Sequence, residues 1–288
     1  MFKIFKIDSW EANYNKQVSG TREKVWVVEP KTNQKYLFKV GKYNANETWA
    51  EKVASEVGKL LGSNHLNIEF ASRNEQLGII SENFVSSDSD FFEGAELLGS
   101  IVEGFVADQV EDYSIYNILR ALHSLEESEK LVHDFISQFI FDTLIANQDR
   151  HSENWGVIRN IEGIIFSPFY DNGSSLGFSL SEKQVDEYLK DKNKIDKFNR
   201  KSKTLIWVDE FKKRTKTEDL LDFFKNNYKE VFEAEIERLQ TLNRNALNEV
   251  LEEVPESIMS NLRKNFVLVL LLSRKDMLLD WIREGEIK

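Results

Sequence analysis

The sequence contains no cysteine, and it has only 3 prolines and 13 glycines among 288 residues. Without cysteine the chain can form neither disulfides nor thiolate metal sites, which favours a reducing compartment such as the cytoplasm. Long apolar runs are missing too. The longest, "FVLVLLL" at residues 266–272, is far too short to span a bilayer and predicts a buried helix. The N-terminal stretch "MFKIFKIDSWEANY" is too mixed in character for a signal peptide.

The chain also lacks an excess of basic charge. It has 38 Lys and Arg against 49 Asp and Glu, a net charge of −11. Affinity for a phosphate backbone comes from Lys and Arg, so direct nucleic-acid binding is not expected. We also expect no membrane partner. A hydrophobic content of 41% and a charged content of 30% are typical of a folded globular chain.

Strand and helix patterns alternate in the first third of the chain. Residues 25–40, "VWVVEPKTNQKYLFKV", predict a strand, a polar turn and a second strand. Residues 46–61 carry apolar side chains at helical spacing, including Leu60, and Asn46 is a suitable N-cap. A further strand is predicted over residues 77–84.

After Asp90 the pattern is mostly helical, and Pro and Gly are scarce. This change in texture predicts an α+β fold with a small β-rich N-terminal lobe and a larger helical C-terminal lobe. We place the boundary between residues 1–84 and residues 85–288.

A dense polar cluster interrupts the helical part in "DTLIANQDRHSENWGV", which ends at Val157. Asp149 and Asn154 are five residues apart there, and Asp171 follows in "FYDNGSS". Phosphoryl transfer needs a carboxylate that orients the attacking hydroxyl, and an Asn and a second carboxylate that hold Mg²⁺ against the phosphates. This order of Asp, Asn and Asp-x-Gly is the one that protein kinases use.

The N-terminal segment offers the matching nucleotide groups. A glycine-containing turn in residues 17–28 leads into a strand, where backbone N–H groups can approach phosphates. Lys39 lies late in the second strand, and Glu51 on the following helix is its predicted ion-pair partner. Glu47 and Glu56 are alternative partners on the same helix.

Structural roles remain open for several of these residues. Asp149, His151 and Asn154 can form a loop-capping network, because Asp and Asn readily bond nearby backbone groups. His151 either supports the loop in this way or contacts the nucleotide or the metal shell. Lys39 can be a strand lysine that only extends to solvent. Asp142 is expected to support the loop rather than to react.

Taken together, the segments "VSGTREKVWV", "YLFKV", "WAEKVASEVGKLLG", "DTLIANQDRHSENWG" and "FYDNGSSL" resemble the HipA-like kinases of bacteria. The resemblance covers nearly the whole chain and is to the short forms, such as the HipT toxins and the CtkA kinase. It implies a two-lobed protein-kinase-like fold and an ATP-dependent serine/threonine protein kinase. There is little room for the extra N-terminal subdomain of the long forms.

By that similarity Asp149 corresponds to the catalytic base, Asn154 and Asp171 to the Mg²⁺ ligands, and Lys39 to a catalytic lysine that contacts the ATP phosphates. The segment "SENF" resembles the hinge between the lobes, whose backbone binds adenine. The residues predicted to contact ATP are Ser19, Gly20, Thr21, Lys24, Lys39, Glu51, Glu82, Asn83, Phe84 and His151.

The resemblance also implies partners. The substrate would be a Ser or Thr of a protein, either an aminoacyl-tRNA synthetase or a host protein, and an antitoxin would be a further partner. The location would be cytoplasmic, or a host cell if the chain is a secreted effector. Ser19, or Thr21 beside it, would be a self-phosphorylation site that inactivates the enzyme.

Three other functions stay open at this point. The string "DRHSEN" also resembles the catalytic loop of phosphoinositide kinases, so a lipid or small-molecule kinase is an alternative. A pseudokinase that acts as a binding module is another. The third is a kinase whose only meaningful target is itself.

A basic segment stands apart from these motifs. Residues 190–203, "KDKNKIDKFNRKSK", carry seven basic side chains against two carboxylates, a local charge of +5 in an acidic chain. Such a segment is either a solvated helix face or a dock for an acidic protein surface or a substrate-bound tRNA.

Overall fold

A computed structural model describes residues 1–13, 24–41, 46–107, 112–208 and 215–283. Within these residues it has nine strands: β1 (Ile4–Lys6), β2 (Glu11–Asn13), β3 (Lys24–Val28), β4 (Lys35–Val40), β5 (Ile68–Arg73), β6 (Gln76–Glu82), β7 (Asp90–Glu93), β8 (Gly156–Asn160) and β9 (Gly163–Phe166). The same residues contain ten α-helices: α1 (Asn46–Leu61), α2 (Gly94–Gly99), α3 (Ile115–His123), α4 (Ser128–Leu144), α5 (Glu182–Lys190), α6 (Lys192–Arg200), α7 (Thr217–Asn227), α8 (Lys229–Arg238), α9 (Arg244–Glu253) and α10 (Asn261–Arg283).

Strands β1 to β6 form one sheet in the order β1-β5-β6-β4-β3-β2, in which β1 pairs parallel with β5 and the other pairs are antiparallel. The predicted strand-turn-strand is the β3–β4 hairpin. Alternation along its strands buries Val25, Val27 and Phe38 in a small core on one face. Lys39, the neighbour of Phe38, therefore points to the opposite face.

Helix α1 has the bounds that its apolar spacing predicts. Trp49, Val53 and Val57 are fully buried and belong to the main core. Leu60 is an exception: it is 37% exposed, because it lies at the C-terminal end of the helix and outside the packed face. The helix packs on β5 and β6, and so fixes its position relative to the sheet.

The C-terminal part is built around α4 and α10. The predicted buried helix over residues 266–272 is the middle of α10, where Phe266, Val267, Leu270 and Leu271 are almost completely buried. Among the described helices, none combines the length and the apolar composition that crossing a membrane requires.

A second sheet, β7-β8-β9, interrupts the helices, whereas the sequence predicts mostly helix after Asp90. Its strands are only four or five residues long. Over so few residues, the alternation of apolar and polar side chains that marks a strand cannot be told from a short buried apolar run of a helix. Trp155, just before β8, stacks on Phe166 at the end of β9 with ring centroids 6.0 Å apart. This hairpin sets the separation between the segment before β8 and the segment after β9.

The mixed α+β class predicted from the sequence is confirmed. The six-stranded sheet and α1 precede residue 84, and α2 to α10 follow it. Side chains of α1 and of the later helices share one continuous core cluster, so the division at residue 84 stays a prediction.

Candidate active site

The polar cluster after α4 is a tight loop, residues 147–155, that is bonded both within itself and to Asp142 in the last turn of α4. Helix α4 ends at Leu144, and two residues later Ala146 lies in the left-handed region (φ +57°). The backbone N–H of Asn147 then donates to the carbonyl of Asp142 (2.8 Å), and its side chain donates to the Asp142 carboxylate (3.0 Å). Asn147 Oδ1 accepts from the backbone N–H of Asp149 (3.1 Å). The loop therefore holds the Asp149 backbone, while the Asp149 side chain is about half exposed (51%).

Arg150 connects this loop to the segment after β9. Its guanidinium forms a two-point ion pair with Asp142, Nε to Oδ2 at 2.8 Å and Nη2 to Oδ1 at 2.6 Å. It also donates to the carbonyls of Asn154 (2.8 Å) and Tyr170 (2.5 Å) and to Oδ1 of Asn172 (2.6 Å). Burial by itself would lower the pKa of Arg150, but the charge and hydrogen bonds of Asp142, together with the charge of Asp171, outweigh burial and raise that pKa. The guanidinium thus stays charged while it is buried.

Lys39 lies at the centre of a second group of contacts. Its Nζ donates to Glu51 Oε1 (2.7 Å) and to Asp171 Oδ1. Burial acts to lower the pKa of Lys39, but the two carboxylates outweigh burial and raise it. Of the three candidate partners on α1, the structure therefore brings Glu51 to Lys39, whereas Glu56 pairs with Lys52.

Glu51 also contacts the segment after β9, because its Oε2 accepts the backbone N–H of Asn172 (2.8 Å). Asp171 has a left-handed backbone (φ +54°), a region that few residues other than glycine adopt and that Asp tolerates better than most. At Gly173 a Cβ would lie only 3.3 Å from Glu51 Cγ, so glycine allows this close approach. A continuous polar network thus runs from Asp142 through Arg150, Asn172 and Glu51 to Lys39 and Asp171.

A cleft of about 1070 Å³ opens beside this network. Three aromatic rings group on one side of it: Phe84 stacks on Tyr170 at 5.7 Å, and Phe91 meets both edge-on at 5.3 and 6.2 Å. The Tyr170 hydroxyl donates to the carbonyl of Glu153 (2.7 Å), which fixes the ring. The cleft therefore has an aromatic part suited to a flat ring and a charged part at Lys39 and Asp171.

Most of the predicted site residues line this cleft. They are Lys24, Lys39, Glu51, Glu82, Asn83, Phe84, Asn154 and Asp171. Ser19, Gly20 and Thr21 fall outside the described residues, so their predicted phosphate contacts stay predictions. Asp149 and His151 lie next to the cleft and are not among its lining residues.

His151 bonds to the candidate base, with Nε2 3.0 Å from Asp149 Oδ1. This hydrogen bond raises the pKa of His151, and partial burial opposes it. The geometry favours the loop-supporting role for His151. The predicted contact with the nucleotide stays a prediction.

The hinge segment is held by its own bonds. The backbone N–H of Asn83 donates to the carbonyl of Lys35 (3.0 Å), and its side chain donates to the carbonyl of Val85 (2.7 Å). Glu82 accepts from the side chain of Gln34 (2.6 Å). These contacts fasten the segment to the beginning of β4 and keep its backbone beside the aromatic group.

Two cleft residues have the donor types that Mg²⁺ prefers. Asp171 supplies a carboxylate and Asn154 an amide oxygen, and both line the cleft. The Asn154 backbone is fixed at both ends, since its N–H donates to the His151 carbonyl (3.0 Å) and its carbonyl accepts from Arg150. Mg²⁺ in nucleotide sites usually takes one or two protein ligands and completes its shell with phosphate oxygens and water. The donor set fits that ion.

Comparisons with known proteins bear on this arrangement. The family model described as the HipA-like C-terminal domain matches residues 17–262. The serine/threonine-protein kinase CtkA of Helicobacter pylori is 23% identical over 240 residues, which cover 82% of this chain and 72% of that protein.

Solved structures show the same fold. The crystal structure of the Helicobacter pylori proinflammatory kinase CtkA matches with a TM-score of 0.84 and 20% identity over 99% of both chains. HipA of Shewanella oneidensis MR-1, solved with HipB and operator DNA, matches with a TM-score of 0.65 and 16% identity over 98% of this chain and 69% of that one. These matches confirm the protein-kinase-like α+β fold. Since the family model covers most of the sequence, the chain belongs to the HipA-like C-terminal domain family.

Proposed function

We propose that this protein is a serine/threonine protein kinase that transfers the γ-phosphoryl group of ATP to a protein hydroxyl. The observation that carries the proposal is the contact of Lys39 with both Glu51 and Asp171 in one cleft. This contact joins the strand lysine, the helix glutamate and the carboxylate after β9, which kinases need together. The relative named as a serine/threonine-protein kinase supports the same activity.

Each side chain then has a defined task. Asp149 orients the acceptor hydroxyl and accepts its proton late in the transfer, for which its exposed position is suitable. Lys39 contacts the phosphates, and Glu51 keeps its Nζ in place. Asn154 and Asp171 would hold Mg²⁺, which neutralises charge on the β- and γ-phosphate oxygens when it is bound. Phe84, Phe91 and Tyr170 lie where an adenine ring would pack, next to the hinge backbone.

The partners follow from the relatives and remain part of the proposal. HipA of Shewanella oneidensis was solved with HipB and operator DNA, which supports an antitoxin as a partner of this chain. The proposed substrate is a protein Ser or Thr, on an aminoacyl-tRNA synthetase or on a host protein. We propose that the kinase acts in the cytoplasm, or in a host cell if it is a secreted effector.

Phosphoproteomics tests this proposal directly. Cells that express the wild type are compared with cells that express an Asp149→Asn variant at the same level. Phosphosites on Ser or Thr that appear only with the wild type are expected. An identical set of phosphosites in both samples would contradict protein phosphorylation by this chain.

The alternative acceptors are tested separately. Labelled ATP is offered with a protein mixture, with phosphoinositide vesicles and with small-molecule alcohols. Label on protein alone supports the proposal, and label on lipid or small molecule alone supports the alternative. A pseudokinase would transfer no label to any of them.

The Lys39–Glu51 pair gives a first quantitative prediction. Glu51→Gln removes one of the two charges that balance Lys39, so Lys39 moves toward Asp171 and away from the phosphates. The transfer rate should fall by on the order of 10- to 100-fold, because small misplacements of a catalytic group have effects of this size. Initial rates at saturating ATP measure it.

Glu56→Gln is the matched control on the same helix. It breaks one ion pair of Lys52, but Lys52 keeps its contact with Glu69 (3.0 Å) and stays neutralised. Its transfer rate should stay near that of the wild type. Equal losses in both variants would show that α1 matters only for stability.

Self-phosphorylation gives a second prediction, which rests on the family resemblance of the loop that contains Ser19 and Thr21. A phosphate there adds about −1.5 to −2 charges where the ATP phosphates must bind, so it should weaken ATP binding. Intact-mass measurement and peptide mapping after incubation with Mg²⁺-ATP should find phosphate on one of these two residues. The Asp149→Asn protein should stay unmodified under the same conditions. An unmodified loop in a wild type that phosphorylates other proteins would contradict self-inactivation by this route.

A further inference from the structure

A group of unpaired basic side chains lies on the surface beside the candidate catalytic loop. It consists of Arg200, Lys201, Lys203 and Lys216, and we call it the basic ridge. All four residues are exposed, and none forms an ion pair within the described part of the chain. Two lysines of the same segment are neutralised: Lys190 pairs with Asp186 (2.5 Å) and Lys194 with Glu187 (3.0 Å). Lys192 and Lys197 are exposed and, like the ridge, form no ion pair among the described residues; the ridge takes in the C-terminal end of the segment.

That end is fastened to the loop that carries the candidate base. The backbone N–H of Lys203 donates to Oε1 of Gln148 (3.0 Å), and Gln148 is the residue directly before Asp149. Residues next to an acceptor hydroxyl placed at Asp149 would therefore lie within reach of the ridge.

The ridge also brings like charges together. Lys203 and Lys216 are partners in an isolated antiparallel bridge, and the backbone N–H of Thr204 donates to the carbonyl of Thr215 (3.0 Å) in the same ribbon. Like charges on directly opposite residues of an antiparallel pair destabilise it. Asp219 accepts the Lys216 backbone N–H rather than its ammonium group (3.0 Å). Arg200 and Lys216 also line a groove that contains four carboxylates, and among the described residues neither cation forms an ion pair with them; the four are Asp196, Glu218, Asp276 and Asp280. A bound carboxylate would relieve this repulsion.

We propose that the basic ridge docks acidic residues of the protein substrate next to the phosphorylated Ser or Thr. This inference rests on the proposed kinase function and names the chemistry of its substrate. An acidic peptide suits the ridge better than a nucleic acid does. Four cations can bind two or three carboxylates, whereas a nucleic acid requires a broad basic surface, and the chain as a whole carries −11.

Peptide arrays with a central Ser or Thr and varied flanking residues test the proposal. The wild type should prefer peptides with Asp or Glu near the acceptor. Lys201→Glu/Lys203→Glu should raise KM for those peptides by about tenfold at low salt and leave kcat and the KM for ATP unchanged. The difference should shrink as salt screens the charges.

Lys59→Glu/Lys130→Glu is the matched control, with the same change in net charge at exposed positions on α1 and α4. Lys130 lies near the N-terminal end of α4, on the order of 20 Å along the helix from the end that carries the loop. The KM of this control variant for the acidic peptides should equal that of the wild type. An equal rise in both double variants would show a long-range charge effect and overturn the ridge as a dock.

Other outcomes separate this inference from the proposed function. If the wild type phosphorylates neutral and acidic peptides equally, or transfers phosphate to proteins but to no peptide, the dock is wrong and the kinase remains. If mixed-sequence RNA competes with the peptides and depends on Lys201 and Lys203, the ridge binds nucleic acid and the proposal is also wrong. If no acceptor is labelled at all, the kinase function itself fails.

Discussion

The Asp149→Asn variant is expected to bind ATP like the wild type and to lose nearly all phosphoryl transfer. Asn is close to Asp in size and keeps the side-chain oxygen that His151 contacts, but it cannot accept the proton of the acceptor hydroxyl. Loss of a general base costs on the order of 10²- to 10⁴-fold in rate. Single-turnover rates and an independently measured Kd for ATP separate the chemical step from binding.

Asp90→Asn is the control for this variant. It removes the same charge from an exposed position at the start of β7, which is not a residue of the cleft lining. It should keep full activity. Transfer by Asp149→Asn within about tenfold of the wild type would contradict the role of Asp149 as the base.

Arg150→Met is expected to have the largest effect on stability. It leaves the Asp142 carboxylate buried without its cation, and it removes the donors to the Tyr170 carbonyl and to Asn172. Removing one partner of a buried pair typically lowers the free energy of unfolding by about 3–5 kcal/mol. Denaturant unfolding, with the midpoint and the m-value both measured, gives this change.

The double variant Asp142→Leu/Arg150→Met distinguishes the two roles of Arg150. It removes both charges of the pair, so much of the lost stability should return. Activity should not return, since the link from the loop to Asn172 and Tyr170 is still missing. Recovery of activity together with stability would show that Arg150 only stabilises the fold.

Local patterns in the sequence predict a large part of this structure. The β3–β4 hairpin follows from alternation and turn residues, and α1 from its apolar spacing. The chain order predicts that five residues meet: Lys39, Glu51, Asp149, Asn154 and Asp171. The structure places all of them except Asp149 on the lining of one cleft. Chain order is enough for this prediction because the resemblance to a known family implies a fold in which these distant segments come together.

The role of Arg150 was not predicted, because its contacts join positions far apart in the chain. Its partners Asp142, Tyr170 and Asn172 are separated from it by 8, 20 and 22 residues. The available signal was an arginine directly after the candidate base, with Asp142 in the last turns of the preceding helix. Only the β8–β9 hairpin, which the sequence did not predict either, brings the segment after β9 back to it.

Incubation with γ-labelled ATP and Mg²⁺, followed by phosphoamino-acid analysis of the labelled protein, tests the proposed activity most directly. The purified chain is used alone and with a protein extract as acceptor. Label on phosphoserine or phosphothreonine with the wild type, and none with the Asp149→Asn variant, is the predicted result. Label that appears only as inorganic phosphate or on lipid, or that is equal in both proteins, would contradict a serine/threonine kinase built on this cleft.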